Sequence, residues 1–386
     1  MSELLQVASA LTRASREREV SVLATVVRTV GSTYRRIGAR LVAFTDGSHV
    51  GSVSAGCIER DVILRAERVR SAGAVELVTY DTRASEDLIW GSGTACGGMS
   101  QLLLEPLDSE HAAAKAERLR YVAQLRRWSA LATVIRASGG PLRAGDQAVL
   151  PQAGVRLTGF EDLPPQARVV VEATARHQLR VRFSTAELHV WDDGVVEIAY
   201  EVRSPRVRFC VCGAGPDAIP LVSIAKLMGW RVSLIDHRPA MLSPERWPEV
   251  ERILLGSADD TTSAVRRADC DAAVVMSHNY ELDVIQLGAL LAADVPYIGV
   301  LGSRRRTARM VDELGVSEVD AARLHAPVGL DIGAETPEEI ALAIAAEVQT
   351  VAAGCPGTPL CGRPGAVHRD SPTIAFAEPA ARGYTR

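Results

Sequence analysis

The stretch Val207–Pro239, VRFCVCGAGPDAIPLVSIAKLMGWRVSLIDHRP, decides the fold. Val207 to Cys212 is a short run of β-type residues, and Gly213-Ala-Gly215-Pro-Asp-Ala218 follows at once. A helical pattern then runs to Gly229, and RVSLID reads as a second strand ending in Asp236. Strand, glycine turn, helix, strand and acid in that order are the layout of a dinucleotide-binding βαβ unit. The glycine turn alone is weak evidence, but the flanking strands and the acid 23 residues after Gly213 strengthen it. In such a unit the turn and helix start receive phosphate and the acid faces the ribose hydroxyls.

The alternation continues downstream. RILLG, CDAAVVMS and PYIGVLGS are β-type runs interleaved with helical segments, so residues 206–354 read as a Rossmann-like doubly wound parallel sheet. The last helix has a strong start in ETPEEIALAIAAEV: Thr336 can cap, Pro337 sits in the first turn and Glu339 completes a capping box. The tail, 355–386, is rich in Pro and Gly and reads as irregular. Upstream, SVLATVVRTVGSTYRRIGARLVAFTDGSHVGSVSAG alternates short β runs with glycine turns, which suggests antiparallel strands. Helices flank them at about 2–18 and 58–72, and a core of motifs spans 20–105. An arginine-rich helix near 109–126 and strands such as ALATVIRA and LRVRFS complete the region 106–205. The expected class is thus α/β, with an α+β N-terminal domain over 1–205 before the Rossmann-like domain. No internal repeat or coiled coil stands out.

A chain of 386 residues calls for roughly two or three domains. Its 47% hydrophobic and 23% charged content suits a soluble globular protein. A net charge of −4 gives no electrostatic reason to expect nucleic acid. All but Lys115 and Lys226 of the 43 basic residues are arginine. The start, MSELLQVASALTRASRERE, reads as an amphipathic helix, not a signal peptide, and no window approaches the ~20 apolar residues of a membrane span. Seven scattered cysteines without a signal segment point to reduced thiols and a cytoplasmic location. Their spacing resembles no zinc site, since Cys355 and Cys361 lack partners.

Two cysteines have an unusual setting. In GSVSAGCIERDVILRA, residues 51–66, the apolar stripe Ile58, Val62, Ala66 and Val69 marks a helix that begins just after Gly56 and Cys57. A helix start favours an anion, so a thiolate or a bound phosphate would gain there. In LIWGSGTACGGMSQLLL, Cys96 lies among glycines that allow close approach by a flat ligand. Each alone could equally be a packed turn cysteine. Arg35, Arg36 and Arg40 add positive charge, although a short basic run is usually a solvated turn. Cys210 and Cys212 alternate on a central strand and read as core. His278, Asp283, Ser303, Arg304 and Arg305 follow strand ends, where ligand contacts collect in open α/β sheets. No nucleophile elbow is present.

These stretches together resemble the XdhC/CoxI family, accessory factors for molybdenum hydroxylases such as xanthine dehydrogenase. The resemblance is carried by VGSTYRRIGARLVAFTDG, GSVSAGCIERDV, GSGTACGG, VCGAGPDAIPL, VSLIDHRP, YIGVLGSRRR and HAPVGLDIGAETPEEIALAIAAEV. Tyr34, Ile37 and Ala55 depart from the family's usual residues, as do Pro216 and Asp217. The resemblance implies a protein that binds molybdenum cofactor, as molybdopterin or its cytosine dinucleotide form. It would hold the cofactor while a cysteine desulfurase supplies the terminal sulfur, then pass it to an apo molybdenum hydroxylase. No residue would be catalytic. Cys57 and Cys96 are the expected molybdenum contacts, with Gly51, Ser52, Ser54, Arg35 and Arg36 around the cofactor. Gly213, Gly215, Ala218, Asp236, Ser303 and Arg304 would bind either the cofactor's dinucleotide or NAD(H). Asp217 puts a carboxylate where a pyrophosphate would dock, which argues against a dinucleotide at this turn.

Two other functions compete. One is an NAD(P)-dependent oxidoreductase using Gly213, Gly215 and Asp236, with His278 as a candidate proton donor. The other is a nucleotide- or redox-sensing module. The client hydroxylase is not named by the sequence, and a homodimer is one option for assembly.

Overall fold

The valine-rich alternation from Ser21 onward folds as the centre of the first of two units. In this computed structural model the described residues are 3–83, 97–152, 155–191 and 194–362. They divide into a unit over Glu3–Pro205 and a second over 206–362. The first unit opens with α1 (Glu3–Glu17), β1 (Ser21–Gly31), β2 (Arg40–Ala43), β3 (His49–Gly51), α2 (Glu59–Ala72), β4 (Glu76–Asp81) and β5 (Gly98–Leu107). Its sheet is antiparallel in the order β3-β2-β1-β5-β4. Alternate residues of β1 face opposite layers. Leu23 packs beneath α1, while Val22, Ala24 and Val26 meet the Ile58, Val62, Ala66 and Val69 stripe.

The same pattern then recurs. α3 (Ser109–Gln124), β6 (Ser129–Ser138), β7 (Gln147–Leu150), α4 (Pro165–Val181), β8 (Thr185–Trp191) and β9 (Gly194–Arg203) form a sheet ordered β7-β6-β9-β8. Leu23 pairs with Val42 and Glu105, and Leu131 pairs with Val149 and Glu201. A register shift falls between Val26 and Arg28 in one copy and between Val134 and Arg136 in the other. The bridge between Val149 and Thr158 stands where Val42 pairs with Val50.

The expectation of no repeat is therefore corrected. SVLATVVRTVG and SALATVIRASG share Ser, Leu, Ala, Thr, Val, Arg and Gly in register. The duplicated unit is a whole α/β layer, far longer than the 20–50 residue periods that announce repeat architectures. A second correction concerns LRVRFS: Leu179, Arg180 and Val181 form the last turn of α4, and Arg182 ends it in a left-handed conformation. Arginine alternating with apolar residues imitates a strand there. The buried stripe Ala167, Val171, Ala175 and Leu179 has the helical period and prevails.

The second unit contains β10 (Arg208–Cys212), α5 (Ala218–Leu227), β11 (Arg231–Asp236), β12 (Arg252–Leu255), α6 (Thr261–Ala268) and β13 (Ala272–Val275). It continues with α7 (Tyr280–Ala292), β14 (Tyr297–Val300), α8 (Arg304–Leu314), α9 (Glu318–Ala321), β15 (Leu324–His325) and α10 (Pro337–Ala353). All six strands are parallel, in the order β12-β11-β10-β13-β14-β15. The strand order reverses between β10 and β13, the place where open α/β sheets bind ligands. α5 and α10 cover one face through Leu221, Val222, Ile344 and Val348. The other face holds Cys210 and Cys212, both fully buried with thiols 3.9 Å apart. The capping box at Thr336 and Glu339 is present, with Pro337 in the first turn.

Candidate functional site

Strand register gathers the N-terminal motifs at one end of the first sheet. β1 ends at Gly31, which pairs with Gly98 at the start of β5; β2 begins at Arg40, whose neighbour Leu41 pairs with Gly51 at the end of β3. β4 ends there too, Asp81 opposite Met99. The connection 32–39 and the loop 52–58 therefore leave the same edge. Gly98 has no room for a Cβ, because the Ser32 carbonyl lies against it. Cys96 lies outside the described residues.

Cys57 is exposed, two residues before the first residue of α2. It is not a packed turn cysteine. The loop beneath it is knitted by Glu59, itself only 8% exposed. The Glu59 carboxylate accepts from the Ser52 hydroxyl at 2.8 Å, from the Val53 amide at 3.2 Å and from the Ser54 amide at 2.8 Å. It also accepts from the Ser54 hydroxyl, whose oxygen in turn accepts from the amides of Gly56 and Ile58. Burial disfavours the charge, but the Ser54 and Ser52 hydroxyls outweigh it and hold the Glu59 carboxyl at about 2. Ser52 and Ser54 thus shape the loop through Glu59. Gly56 takes φ +102, a backbone conformation that glycine adopts without strain. Ile58 offers no side-chain cap to the first turn of α2. The result is a soft thiol presented on a fixed loop just before a helix start, suited to a metal that arrives with its own ligands.

The arginines separate. Arg35 pairs with Glu3, and Arg36 is half-buried on the same connection. Arg40 is buried and binds Glu201 through Nη2 at 2.6 Å, a structural pair.

In the second unit, Gly213 takes φ +128 and packs on the Met276 carbonyl, so a Cβ would collide. Ala218 is fully buried at the start of α5. Asp236, expected to face a ribose, is fully buried instead. Its carboxylate accepts from the Ala214 amide at 2.6 Å and from the Arg238 amide, Nε and Nη2 at 2.8, 2.9 and 2.9 Å. Burial opposes ionisation there, yet Arg238 and the Ala214 amide outweigh it and lower the carboxyl. Ser303 caps α8 by accepting from the Arg306 amide, and Arg304 follows it, exposed. Asp283 is buried and pairs with Arg306 at 2.8 Å. His278, at φ +61, places Nε2 2.6 Å from Asp217 Oδ2. Sequence reasoning missed Glu59 and the Asp217–His278 pairing. A glutamate following a serine-rich loop at a helix start was the available signal for the first.

Known proteins share this arrangement of motifs. A model of the XdhC Rossmann domain matches residues 209–348, and one of the XdhC and CoxI family matches residues 14–81. The chain is 30% identical over 332 residues to a Bacillus subtilis protein named as a probable xanthine dehydrogenase subunit, covering 86% of this chain and 93% of that one. This chain belongs to the XdhC and CoxI family. Among other similar proteins, the molybdenum cofactor insertion chaperone PaoD of Escherichia coli is 27% identical over 338 residues, covering 86% of this chain and 83% of PaoD. A Bacillus halodurans crystal structure described as a xanthine dehydrogenase superposes with a TM-score of 0.69 at 26% identity, covering 94% of this chain and 98% of that one. Among the described residues no helix is long and apolar enough to cross a membrane, and no cluster of three or more ligating side chains could hold a metal ion.

Proposed function

We propose that this chain takes part in molybdenum hydroxylase maturation in the cytoplasm by carrying molybdenum cofactor as cargo. It holds the cofactor while a cysteine desulfurase supplies the terminal sulfur, and then delivers it to an apo-hydroxylase of the xanthine dehydrogenase or CO dehydrogenase type. The observation that carries this reading is the exposed Cys57 thiol on a loop fixed by Glu59. Similarity to a cofactor insertion chaperone along most of both chains supports it. Cys57 is the soft contact to the metal, with Cys96 as its functional neighbour. Arg35 and Arg36 receive the cofactor's phosphate, and Gly56, with open space beside it, leaves room for its ring, while Gly51 packs against the Arg40 carbonyl.

The test compares wild type with Cys57→Ser and Cys96→Ser, purified from cells that make the cofactor. Pterin released by oxidation is read by fluorescence and fold by thermal unfolding. Loss of one soft contact should weaken retention by Cys57→Ser on the order of tenfold while the melting temperature stays put. Full retention by a normally folded Cys57→Ser would refute the assignment.

A further inference from the structure

The Rossmann-like unit contains a cavity of about 250 Å³ at the switch point between β10 and β13. Its walls are apolar, with Leu221 from α5, Met276 and Leu301 beyond strand ends, and Ile340 and Ile344 from α10. The charged or titratable side chains lining it are Asp217, His278 and Glu335, and no lysine or arginine is among the described lining residues. Asp217 stands at the helix cap of α5 but does not cap it. Its Oδ2 pairs with His278, and its Oδ1 lies over Gly215, where a Cβ would collide with it. The second glycine of the turn, which in dinucleotide sites admits a pyrophosphate, here makes room for a carboxylate of the chain itself. Asp236 is closed off as well, buried against Arg238. The volume is also below the roughly 300–1,000 Å³ of sites that enclose drug-sized ligands, and a dinucleotide is a large member of that class.

We infer that this cavity is no dinucleotide site and instead binds a phosphate-free flat heterocycle through an aminopyrimidinone edge, the edge shared by pterins and guanine. That edge presents a ring N–H beside an amino group, two donors that one carboxylate accepts together. Asp217 supplies the acceptor. An ionised carboxylate has about four acceptor positions, so pairing with His278 leaves others open. The ring faces lie against Leu221, Met276, Ile340 and Ile344, and the charges of Asp217 and Glu335 repel phosphate. Only the choice of pterin as one source of the edge rests on the cofactor-carrier reading.

The experiment titrates the full chain with hydroxymethylpterin, guanosine and NADH by calorimetry. One of the two rings should bind more tightly than NADH, and the tighter of the two names the source. Asp217→Asn should weaken ring binding on the order of tenfold or more, as expected for losing hydrogen bonds to a charged group, without weakening NADH. Ile340→Trp, which fills the cavity from α10, should abolish ring binding with Asp217 intact. Tighter NADH binding, no saturable ring binding, or ring binding unchanged in both variants would overturn the proposal. Cofactor retention through Cys57 is measured separately, so a ring-binding failure with retention intact leaves the carrier function standing.

Discussion

Glu59 decides how Cys57 is presented. Its carboxyl is held at about 2 against an ordinary 4.5, so the stability it confers is fully present above about pH 4.5 and is lost as pH falls toward 2. Glu59→Gln removes the charge that the Ser52 and Ser54 donors face. Unfolding at neutral pH should show a loss of about 1.5–3 kcal/mol, the range for hydrogen bonds to a charged group. That gap should narrow in acid, and an equal gap at both pH values would mean that charge does not hold the loop. The cysteines give a second check. Cys57 and Cys361 are exposed, whereas Cys210, Cys212 and Cys270 are buried, and the Cys212 and Cys270 thiols together with burial push Cys210 up. An alkylating reagent should modify Cys57 and Cys361 in the native protein and the buried three only after unfolding. The position of Cys57 was legible because an apolar stripe dates the helix start. The role of Ser52 and Ser54 was not, because hydroxyls that look free to bind a ligand are claimed by a carboxylate whose approach only the folded turn reveals.

Elements followed the sequence wherever a local rule was unopposed. α10 begins at the residues that its capping pattern names, and the Glu339 carboxylate accepts from the Thr336 amide at 2.9 Å. Thr336→Ala should cost about 1 kcal/mol, seen as a lower melting temperature with the fold unchanged. Of the parallel strands of the second unit, β10, β11, β13 and β14 were equally plain, each a buried apolar run between turn signals, whereas β15, Leu324–His325, is too short a run to be read. LRVRFS was not, because six residues satisfy a strand period and a helix end alike. Only the preceding three turns of α4, buried at Ala167, Val171 and Ala175, settle which one forms.

Across the whole molecule, the duplication in the first unit explains two of its buried carboxylates, Glu105 and Glu201. Glu105 on β5 reaches the turn at Gly145 and pairs with Lys115 at 2.6 Å. Its counterpart Glu201 on β9 reaches the matching turn at Gly38 and pairs with Arg40 at 2.6 Å. Both glycines sit at φ +93, and their amides donate to Val26 and Val134 at 2.9 Å. Each glutamate thus locks the other copy's turn, and Val27, Leu103, Ile135 and Ala199 fill the space between the sheets. Burial opposes the Glu201 charge, yet Arg40 and Arg203 outweigh it and lower its carboxyl. Its contribution is therefore held at neutral pH and lost in acid. Glu201→Gln leaves Arg40 buried without its counter-charge, and denaturant unfolding should register about 3–5 kcal/mol. Only the first copy carries the Cys57 loop; the second turns from β7 to α4 through TGFEDLP, which has no thiol. The proposed carrier function thus uses a loop that one copy of the doubled scaffold has and the other lacks, and its most direct test is transfer. Cofactor-loaded chain, freed of unbound cofactor, is mixed with an apo-hydroxylase after sulfuration, and the activity that appears is measured against the amount of chain added. The account predicts activity rising in proportion to loaded chain, absent with unloaded chain and greatly reduced with Cys57→Ser; hydroxylase activation that is equal with and without loaded cofactor would contradict it.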